Sequence, residues 1–364
     1  MRKIVVVLCL MLLWLNCGHN IEDNSRVSLK TGKILFSQWD EMFEAHEIIP
    51  FFFDDPEQEI ISIGQMQIIP GGDYIIMDGK ANNILLFDAA GKFKKIISGK
   101  GEGPGEHFFI GASIIDKNNN FYFFDPAKRG INKFRTGDYT FTGHLTLPTY
   151  IQDLLMDDDG NFIVYTTSEP DILFKIDPRG NVINKALRGD QESFRLFSAR
   201  FQMGRLCAIP DGLCLVSYPE EYKIYLCDYQ FNIKKIFYAD ATSKYFQDKA
   251  VFPSTLSPYD FSPKHAKWWG ESFRPGPIYY LGNGLFLLEI LKFTNLSADI
   301  RVNIHDFNGN TYAAGLEVPF DGIIRFVKDG YVYVVEESKF DESNNVIPLK
   351  LHRFKLKDKL NQGH

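Results

Sequence analysis

The stretch Asp73-Tyr-Ile-Ile-Met-Asp78 is the first of six that share one pattern. In each, a polar turn rich in Gly, Asn or Asp precedes a short apolar run of aromatic and β-branched residues, which is typical of a strand. The other five are Asn120-Phe-Tyr-Phe-Phe-Asp125, Asn161-Phe-Ile-Val-Tyr-Thr166, Gly212-Leu-Cys-Leu-Val-Ser217, Gly284-Leu-Phe-Leu-Leu-Glu289 and Gly330-Tyr-Val-Tyr-Val-Val335. Their last residues lie 41 to 51 positions apart, except for one gap of 72 that holds an insertion. The sequence therefore repeats a strand-containing unit six times.

A second repeat lies out of phase with the first. Three strands end in Asp-x-x-Gly, at Asp88 to Gly91, Asp177 to Gly180 and Asp306 to Gly309. Asp in the first place and Gly in the fourth favour a type I turn. Each unit therefore holds two hairpins, which makes four antiparallel strands.

Six four-stranded units at this spacing predict an all-β fold, a six-bladed β-propeller. No pattern of ten or more residues with helical periodicity recurs between the strands, which argues against a βαβ architecture. We expect the strand before the first turn of each unit to be innermost, for example residues 112–116 and 322–328. The last unit supplies only three strands, near residues 322–328, 331–336 and 348–356, so we expect His46-Glu-Ile-Ile-Pro-Phe-Phe-Phe53 to complete it.

The N-terminus predicts export. Arg2 and Lys3 precede an apolar run of twelve residues, 4–15, which is too short to span a bilayer and suits a signal peptide. Cys17 follows directly, as in a bacterial lipobox; ordinary secretory cleavage is the alternative. We expect a signal peptide at 1–16, a lipid-anchor tether and N-terminal segment at 17–45, the propeller at 46–357 with an insertion at 239–276 between blades four and five, and a tail at 358–364.

Composition limits the partners. The formal net charge is −6, and losing Arg2 and Lys3 with the signal changes it to −8. An acidic surface argues against nucleic acid as partner. We expect a monomer that meets the membrane through its lipid anchor only, facing the periplasm or the cell surface. Cys207 and Cys214 could form a disulfide across a hairpin, or could be small buried apolar residues.

One loop carries a resemblance to a known family. Gly99-Lys-Gly-Glu-Gly-Pro-Gly-Glu106, the Ile-Ile-Pro stretch at Pro50 and the aromatic strand ending at Asp125 resemble six-bladed β-propeller lipoproteins of Gram-negative bacteria related to NHL-repeat proteins. The resemblance covers residues from about 40 to 357. It implies the propeller fold and a location in the cell envelope, and it implies no particular activity.

Candidate catalytic and metal-binding residues are sparse. The glycine-rich loop does not open a predicted helix, so it reads as a connection between blades and not as a phosphate cradle. The eight histidines are scattered, and no Ser, His and Asp arrangement has a spacing that indicates a catalytic triad. Asp78, Asp125 and Glu289 end equivalent strands on one rim, where they could hold Ca²⁺ or Zn²⁺ or could simply bond nearby backbone amides. We otherwise expect no cofactor.

The insertion is the strongest candidate for a binding site. Two adjacent tryptophans in an extended segment point to opposite sides, so either Trp268 or Trp269 should be available to a ligand, unless both plug the channel mouth. The same face gathers the other candidate contacts: Tyr259, His265, Arg274, Glu106, His107 and Arg129. The sequence thus predicts a non-catalytic binding module for a glycan, a peptide or an envelope protein. A metal-assisted hydrolase or lyase with a cation at the channel mouth is the alternative.

Overall fold

The computed structural model describes residues 25–30, 35–55, 57–189, 192, 205–218, 220–239, 245, 251–257, 262–271, 273–293, 298–340 and 346–358. The predicted signal peptide, Cys17 and Tyr259 lie outside these residues. Among the helices described, none has both the length and the apolar character needed to span a membrane.

The described chain starts with a segment that joins the sheets formed by later residues. It contains strand β1 (Arg26–Ser28), the short helix α1 (Trp39–Met42) and strand β2 (Phe43–Ile49). The Glu41 carboxylate accepts the backbone N–H groups of Ser37 and Gln38, which are the unpaired donors at the start of α1. The predicted start of the propeller at residue 46 lies inside β2.

Blades one to three follow, each with four strands. Blade one is β3 (Ile63–Ile68), β4 (Tyr74–Asp78), β5 (Asn83–Phe87) and β6 (Phe93–Ser98). Blade two is β7 (Ser113–Ile115), β8 (Phe121–Asp125), β9 (Gly130–Phe134) and β10 (Phe141–Thr146). Blade three is β11 (Asp153–Met156), β12 (Phe162–Tyr165), β13 (Asp171–Ile176) and β14 (Val182–Arg188).

Blades four to six complete the ring, and helix α2 (Pro263–Trp269) lies between blades four and five. Blade four is β15 (Arg205–Ile209), β16 (Leu213–Tyr218), β17 (Lys223–Asp228) and β18 (Ile233–Tyr238). Blade five is β19 (Arg274–Gly282), β20 (Leu285–Phe293), β21 (Ala298–Asp306) and β22 (Thr311–Glu317). Blade six uses β23 (Ile323–Lys328), β24 (Tyr331–Glu336) and β27 (Lys350–Leu356), and a small hairpin of β25 (Lys339–Phe340) and β26 (Val346–Ile347) interrupts it.

The all-β six-bladed propeller is confirmed, with all six repeated apolar runs forming the second strand of a blade. The innermost strands β3, β7, β11, β15, β19 and β23 contact one another around a central channel. The N-terminal closure is also confirmed: β2 pairs antiparallel with β27 as the fourth strand of blade six, with Phe43 opposite Leu356 and Ile49 opposite Leu351. The predicted bounds 46–53 are wrong, because the strand covers Phe43–Ile49 and Phe52 bridges to Lys92 of blade one.

Six hydrophobic clusters hold the ring, one between each pair of neighbouring blades. The second strands supply many of the side chains in these clusters. A strand in the middle of a blade is covered on both faces by the neighbouring blades, so its sequence is a continuous apolar run. All five residues of β8 are buried, for example. The Asp-x-x-Gly turns form as predicted, with Gly91 N–H donating to Asp88 O at 2.9 Å.

The cysteines are free thiols in the described chain. Cys207 lies opposite Leu215 in the β15–β16 ladder, so the predicted alternative of a disulfide with Cys214 is not formed. Cys214 is buried and lies opposite Cys227 on β17. Cys214 and Cys227 are buried, in agreement with the other interpretation of the cysteines as small buried residues.

Candidate binding face and central channel

The two faces of the ring carry different connections. Loops between the second and third strands of each blade, and connections from an outer strand to the next inner strand, emerge on one face together with the described parts of the insertion. We call this the insertion face. The hairpin turns between first and second strands, and between third and fourth strands, emerge on the opposite face, which we call the turn face.

The glycine-rich loop on the insertion face is held by its own residues. The Glu106 carboxylate accepts the N–H of Gly103 at 2.7 Å, and Gly105 adopts a φ of 82°. His107 is fully buried: its Nδ1 lies 2.7 Å from the Ser98 hydroxyl and its Nε2 lies 3.1 Å from the Asn82 carbonyl oxygen. Burial lowers the pKa of His107. His107 therefore has a structural position, whereas Glu106 remains exposed at the surface.

The insertion is helical where the sequence analysis assumed an extended segment, because Pro263 to Trp269 forms α2. Trp269 is 1% exposed and packs into the cluster between blades three and four, while Trp268 stays partly exposed. Arg274 is buried with its guanidinium carbon 4.8 Å from the Trp268 ring and 5.1 Å from the Trp269 ring. These aromatic residues cover blade ends, and Trp268 is the tryptophan that keeps accessible surface.

Two further candidates on this face differ in exposure. His265 is buried, and its Nε2 lies 2.9 Å from the Ser257 carbonyl oxygen. Arg129 is exposed and adopts a φ of 50° in the loop after β8. The structure therefore does not bring the predicted ligand-binding residues to one common surface: Trp268, Glu106 and Arg129 are accessible, and the buried ones serve packing.

The rim carboxylates Asp78 and Asp125 have equivalent positions and equivalent partners. Asp78 accepts the N–H groups of Lys80 and Ala81 with one oxygen and that of Ile61 with the other, at 2.7 to 3.0 Å. Asp125 accepts the N–H of Phe108 at 3.0 Å and two more from its own loop. Within the described residues, no group of three or more His, Cys, Asp or Glu side chains is placed to hold a metal ion.

Glu289 belongs to a different environment, a polar cluster in the central channel. Its carboxylate accepts the hydroxyl of Tyr279 at 3.3 Å, and the same hydroxyl lies 3.1 Å from the Ile324 carbonyl oxygen. Burial raises the pKa of the Glu289 carboxyl, and the positive charges of Arg325 and Arg205 nearby oppose part of that rise. Four residues from blades four, five and six thus meet inside the ring.

The inner strands β11 and β15 begin with partly exposed charged residues. On β15, Arg205 and Cys207 are partly exposed while Leu206 between them is buried. On β11, Asp153 and Leu155 are partly exposed on either side of buried Leu154. Cys207 and Leu155 pack against the clusters between neighbouring blades, so Arg205 and Asp153 are the polar side chains at the starts of these two inner strands. These charged residues lie at the insertion-face end of the channel, because the inner strands start at that face.

The two arginines are only partly satisfied by protein groups. Arg205 Nη1 donates to the Gln152 carbonyl oxygen at 2.9 Å. Arg325 has a side chain that is 23% exposed, forms a long ion pair of 3.8 Å with Glu337, and buries an Nε that has no hydrogen-bond partner among the described residues. Guanidinium groups stay charged at neutral pH and bind carboxylates and phosphates through paired N–H donors.

The carboxyl groups of the cluster are held toward their neutral form. Burial raises the pKa of Glu289 to about 7, although Arg325, the hydrogen bond from Tyr279 and Arg205 act in the opposite direction. Burial also raises the pKa of Asp153, again against Arg205. Two permanent positive charges therefore lie beside a Glu289 carboxyl that is only partly ionised near neutral pH, which makes the cluster locally attractive to anions.

The sequence analysis missed this cluster apart from Glu289. Arg205, Asp153 and Arg325 each begin or nearly begin an inner strand, where the signal is a single charged residue at the start of a short apolar run. From the sequence alone, such a residue is expected to be a solvent-exposed strand end. Only the closed ring brings the starts of the six inner strands close together. The sequence signal that could have predicted the cluster is a charged residue at or near the start of the inner strand in several blades.

The fold and the channel place the chain among known propellers. A family described as DUF5128, 6-bladed beta-propeller, matches residues 19–202, just over half of the sequence. The chain belongs to this family. Among curated proteins, none matches the sequence.

Solved structures share the fold of this DUF5128 propeller at low identity. A protein of Bacteroides fragilis NCTC 9343, named as a candidate exported protein, is 14% identical with a TM-score of 0.64 over 91% of this chain and 99% of its own. A DUF4221 family member from Bacteroides vulgatus ATCC 8482 is 12% identical with a TM-score of 0.61, over 86% of this chain and 98% of its own. A streptogramin B lyase is 15% identical over 80% of this chain and 78% of its own, but its TM-score of 0.48 carries no argument about activity.

Proposed function

We propose that this propeller is an exported, lipid-anchored protein of the bacterial cell envelope that binds an acidic sugar at the insertion-face end of its channel, without catalysis. The observation that carries the binding proposal is the meeting of the partly exposed Arg205 and Arg325 beside Glu289 and Tyr279. Guanidinium groups suit a carboxylate, and the tyrosine with the amide side chains of the channel suits hydroxyl groups.

The neutral side of the channel supports a hydroxylated ligand. Gln65 and Gln67 of β3 are partly exposed and hydrogen-bond with Ser113 of β7, at 3.2 Å from each glutamine to the hydroxyl. Amide and hydroxyl groups can donate and accept toward sugar hydroxyls. Trp268, Glu106 and Arg129 are accessible but do not form one surface with this cluster, so the proposal does not rest on them.

Binding is tested by calorimetry with D-glucuronate as the probe and D-glucose as the uncharged control. We expect glucuronate to bind the wild type and glucose to bind at least tenfold more weakly. Arg205→Gln and Arg325→Gln should each weaken glucuronate binding about 10- to 100-fold, because each removes a charge-assisted hydrogen bond. Arg135→Gln is the matched control, since Arg135 is an exposed arginine paired with Asp138. Equal affinity in all variants, or no glucuronate binding, would refute the proposal.

The anchor is tested separately through Cys17. The signal-like segment, Cys17 directly after it, and the name of the Bacteroides fragilis structure support export. The relationship to NHL-repeat proteins stays a prediction. Wild-type protein expressed in a Gram-negative host should fractionate with membranes and incorporate a labelled fatty acid, whereas Cys17→Ser should do neither. Membrane association of Cys17→Ser at the wild-type level would contradict the anchor.

A further inference from the structure

A second candidate site lies on the turn face, between blades two and three. The cavity there has a volume of about 530 Å³, and it is lined by all four strands of blade two, the β7–β8 turn, the β11–β12 turn and Pro178 of the β13–β14 turn. This volume is in the range of small-molecule sites. The cavity is independent of the channel site, because the turn face is the opposite end of the ring.

The floor of the cavity is apolar. It is formed by side chains that extend the hydrophobic cluster between the two blades: Tyr122, Ile131, Leu145, Met156 and Phe162. The cavity reaches this floor because Gly143 of β10 has no side chain, and a Cβ added there would meet no atom within 4 Å.

Charged side chains of both signs line the cavity. At the β7–β8 turn the Lys117 ammonium donates to the Asp158 backbone carbonyl oxygen at 2.6 Å, and the Asp116 carboxylate accepts the Tyr122 hydroxyl at 3.0 Å. On blade two, the Lys133 ammonium lies 5.3 Å from the centre of the Tyr122 ring and forms no ion pair within the part of the chain that the structure describes. On blade three, Asp158 and Asp159 are exposed, and their carboxylates likewise form no ion pair with a described residue. The deeper carboxylate, Asp157, is already neutralised by Lys175 at 2.7 Å.

We infer that this cavity binds a short apolar peptide with both termini free. Its carboxylate would pair with Lys133, its ammonium with Asp158 or Asp159, and its side chains would cover the apolar floor. A zwitterion can pair its carboxylate with Lys133 and its ammonium with an exposed aspartate at the same time. An anion would leave Asp158 and Asp159 without a cation from the ligand, and a cation would leave Lys133 without an anion. Burial of the apolar side chains supplies affinity, and the two charged ends set the orientation.

The probe is L-leucyl-L-leucine, measured by calorimetry against its C-terminal amide and its N-acetyl form. We expect the dipeptide to bind the wild type and each blocked analogue to bind at least tenfold more weakly. Lys133→Met keeps the apolar stem of the lysine. It should weaken binding of the dipeptide at least tenfold and leave binding of the amide unchanged, because the amide has no carboxylate that could pair with Lys133. Lys185→Met is the matched control, a lysine whose ammonium lies 4.7 Å from the Phe174 ring on blade three; its affinity should stay within twofold of the wild type.

Filling the gap is the second variant. Gly143→Leu should abolish dipeptide binding, whereas Thr142→Leu on the exposed side of the same strand should not change it. Thermal unfolding verifies that each variant is folded; if Gly143→Leu is not, the Lys133→Met and analogue series decides the question. Absent dipeptide binding, equal binding of the analogues, or equal binding by Lys133→Met would overturn the inference. A loss in Arg205→Gln would also overturn it, because that would place the peptide in the channel.

Discussion

Glu289 shows how the environment of one residue sets its chemistry. Its side chain is 2% exposed on β20, and its carboxylate accepts one hydrogen bond, from Tyr279. Burial disfavours the charged form more than the neighbouring arginines favour it, so its pKa is raised from 4.5 to about 7. A carboxyl that exchanges its proton near neutral pH changes the charge of the channel, and therefore its attraction for an anion.

The first prediction is a pH-dependent stability that Glu289→Gln removes. Because the folded-state pKa lies above the unfolded value, the folded protein binds more protons between pH 4.5 and 7, and stability falls as pH rises through that window. The loss attributable to Glu289 is about 3 kcal/mol. Urea unfolding of wild type and Glu289→Gln from pH 4.5 to 8 should show the variant gaining relative stability across the window and no further change above it.

The difference between the two proteins isolates this effect. Burial lowers the pKa of His107, and it lowers that of His305 to about 3, so both histidines stabilise the fold as pH rises through the acid range. Their contribution is common to wild type and Glu289→Gln, and it cancels in the difference. Parallel stability curves would contradict the raised pKa of Glu289.

At the scale of elements, the N-terminal segment is attached along the outer edges of several blades. β1 pairs in parallel with β18 of blade four, from Arg26 opposite Ile236 to Ser28 opposite Tyr238. After β2, Phe52 continues onto blade one, where its N–H donates to Gly91 O at 2.8 Å and its carbonyl accepts the N–H of Phe93 at 2.8 Å. The turn glycine at 91 therefore serves both its own hairpin and the passing segment.

The second prediction separates these two roles of Gly91. Its φ is +84°, and an added Cβ would lie 1.8 Å from the Pro50 carbonyl oxygen. Gly160 is the matched control, in another Asp-x-x-Gly turn with a φ of +81° and no atom within 4 Å of an added Cβ. Gly160→Ala should cost about 1 to 2 kcal/mol from backbone strain alone. Gly91→Ala should cost about 2 kcal/mol more, because backbone atoms must separate.

Chemical denaturation of both glycine variants measures that difference. Equal losses of free energy of unfolding in the two variants would show that residues 50–53 are not firmly attached at the turn. Retention of full stability by Gly91→Ala would show the same. Either result would mean that the contact of residues 50–53 with blade one does not contribute to stability, and that β2 alone attaches the N-terminal segment near blades six and one.

Elements differed in how far the sequence predicts them. The second strands were predictable because each opens with four or five consecutive apolar residues after a turn, whereas β1 is only three residues long and pairs in parallel with a distant strand. Helix α2 was missed because seven residues in an aromatic stretch give too short a periodic pattern. Arg205 and Arg325 lie 120 positions apart, and only ring closure places them beside each other, so the channel cluster required the structure.

At the scale of the whole molecule, the ring is closed by noncovalent attachment of its two ends. Residues 26–53 touch four consecutive blades: β1 on blade four, bridges from Lys30 and Phe36 to blade five, β2 on blade six, and Phe52 on blade one. A closed ring presents its two faces as fixed surfaces, which reduces the ordering entropy lost on binding. The proposed sugar and peptide sites therefore depend on the same closure.

The last prediction is that deletion of residues 18–58 prevents cooperative folding, because blade six loses its outer strand and blades four, five and one lose their edge contacts. The truncated chain should show no sharp thermal transition, and a synthetic peptide of residues 35–58 added in trans should restore one. A peptide with Phe43→Ala should rescue poorly, since Phe43 is 1% exposed and stacks 4.4 Å from Trp39, and its truncation costs about 3 to 5 kcal/mol. A Glu44→Ala peptide is the control and should rescue fully, because Glu44 is exposed. A truncated monomer that unfolds cooperatively near the full-length midpoint would show that the ring closes without its N-terminal strand.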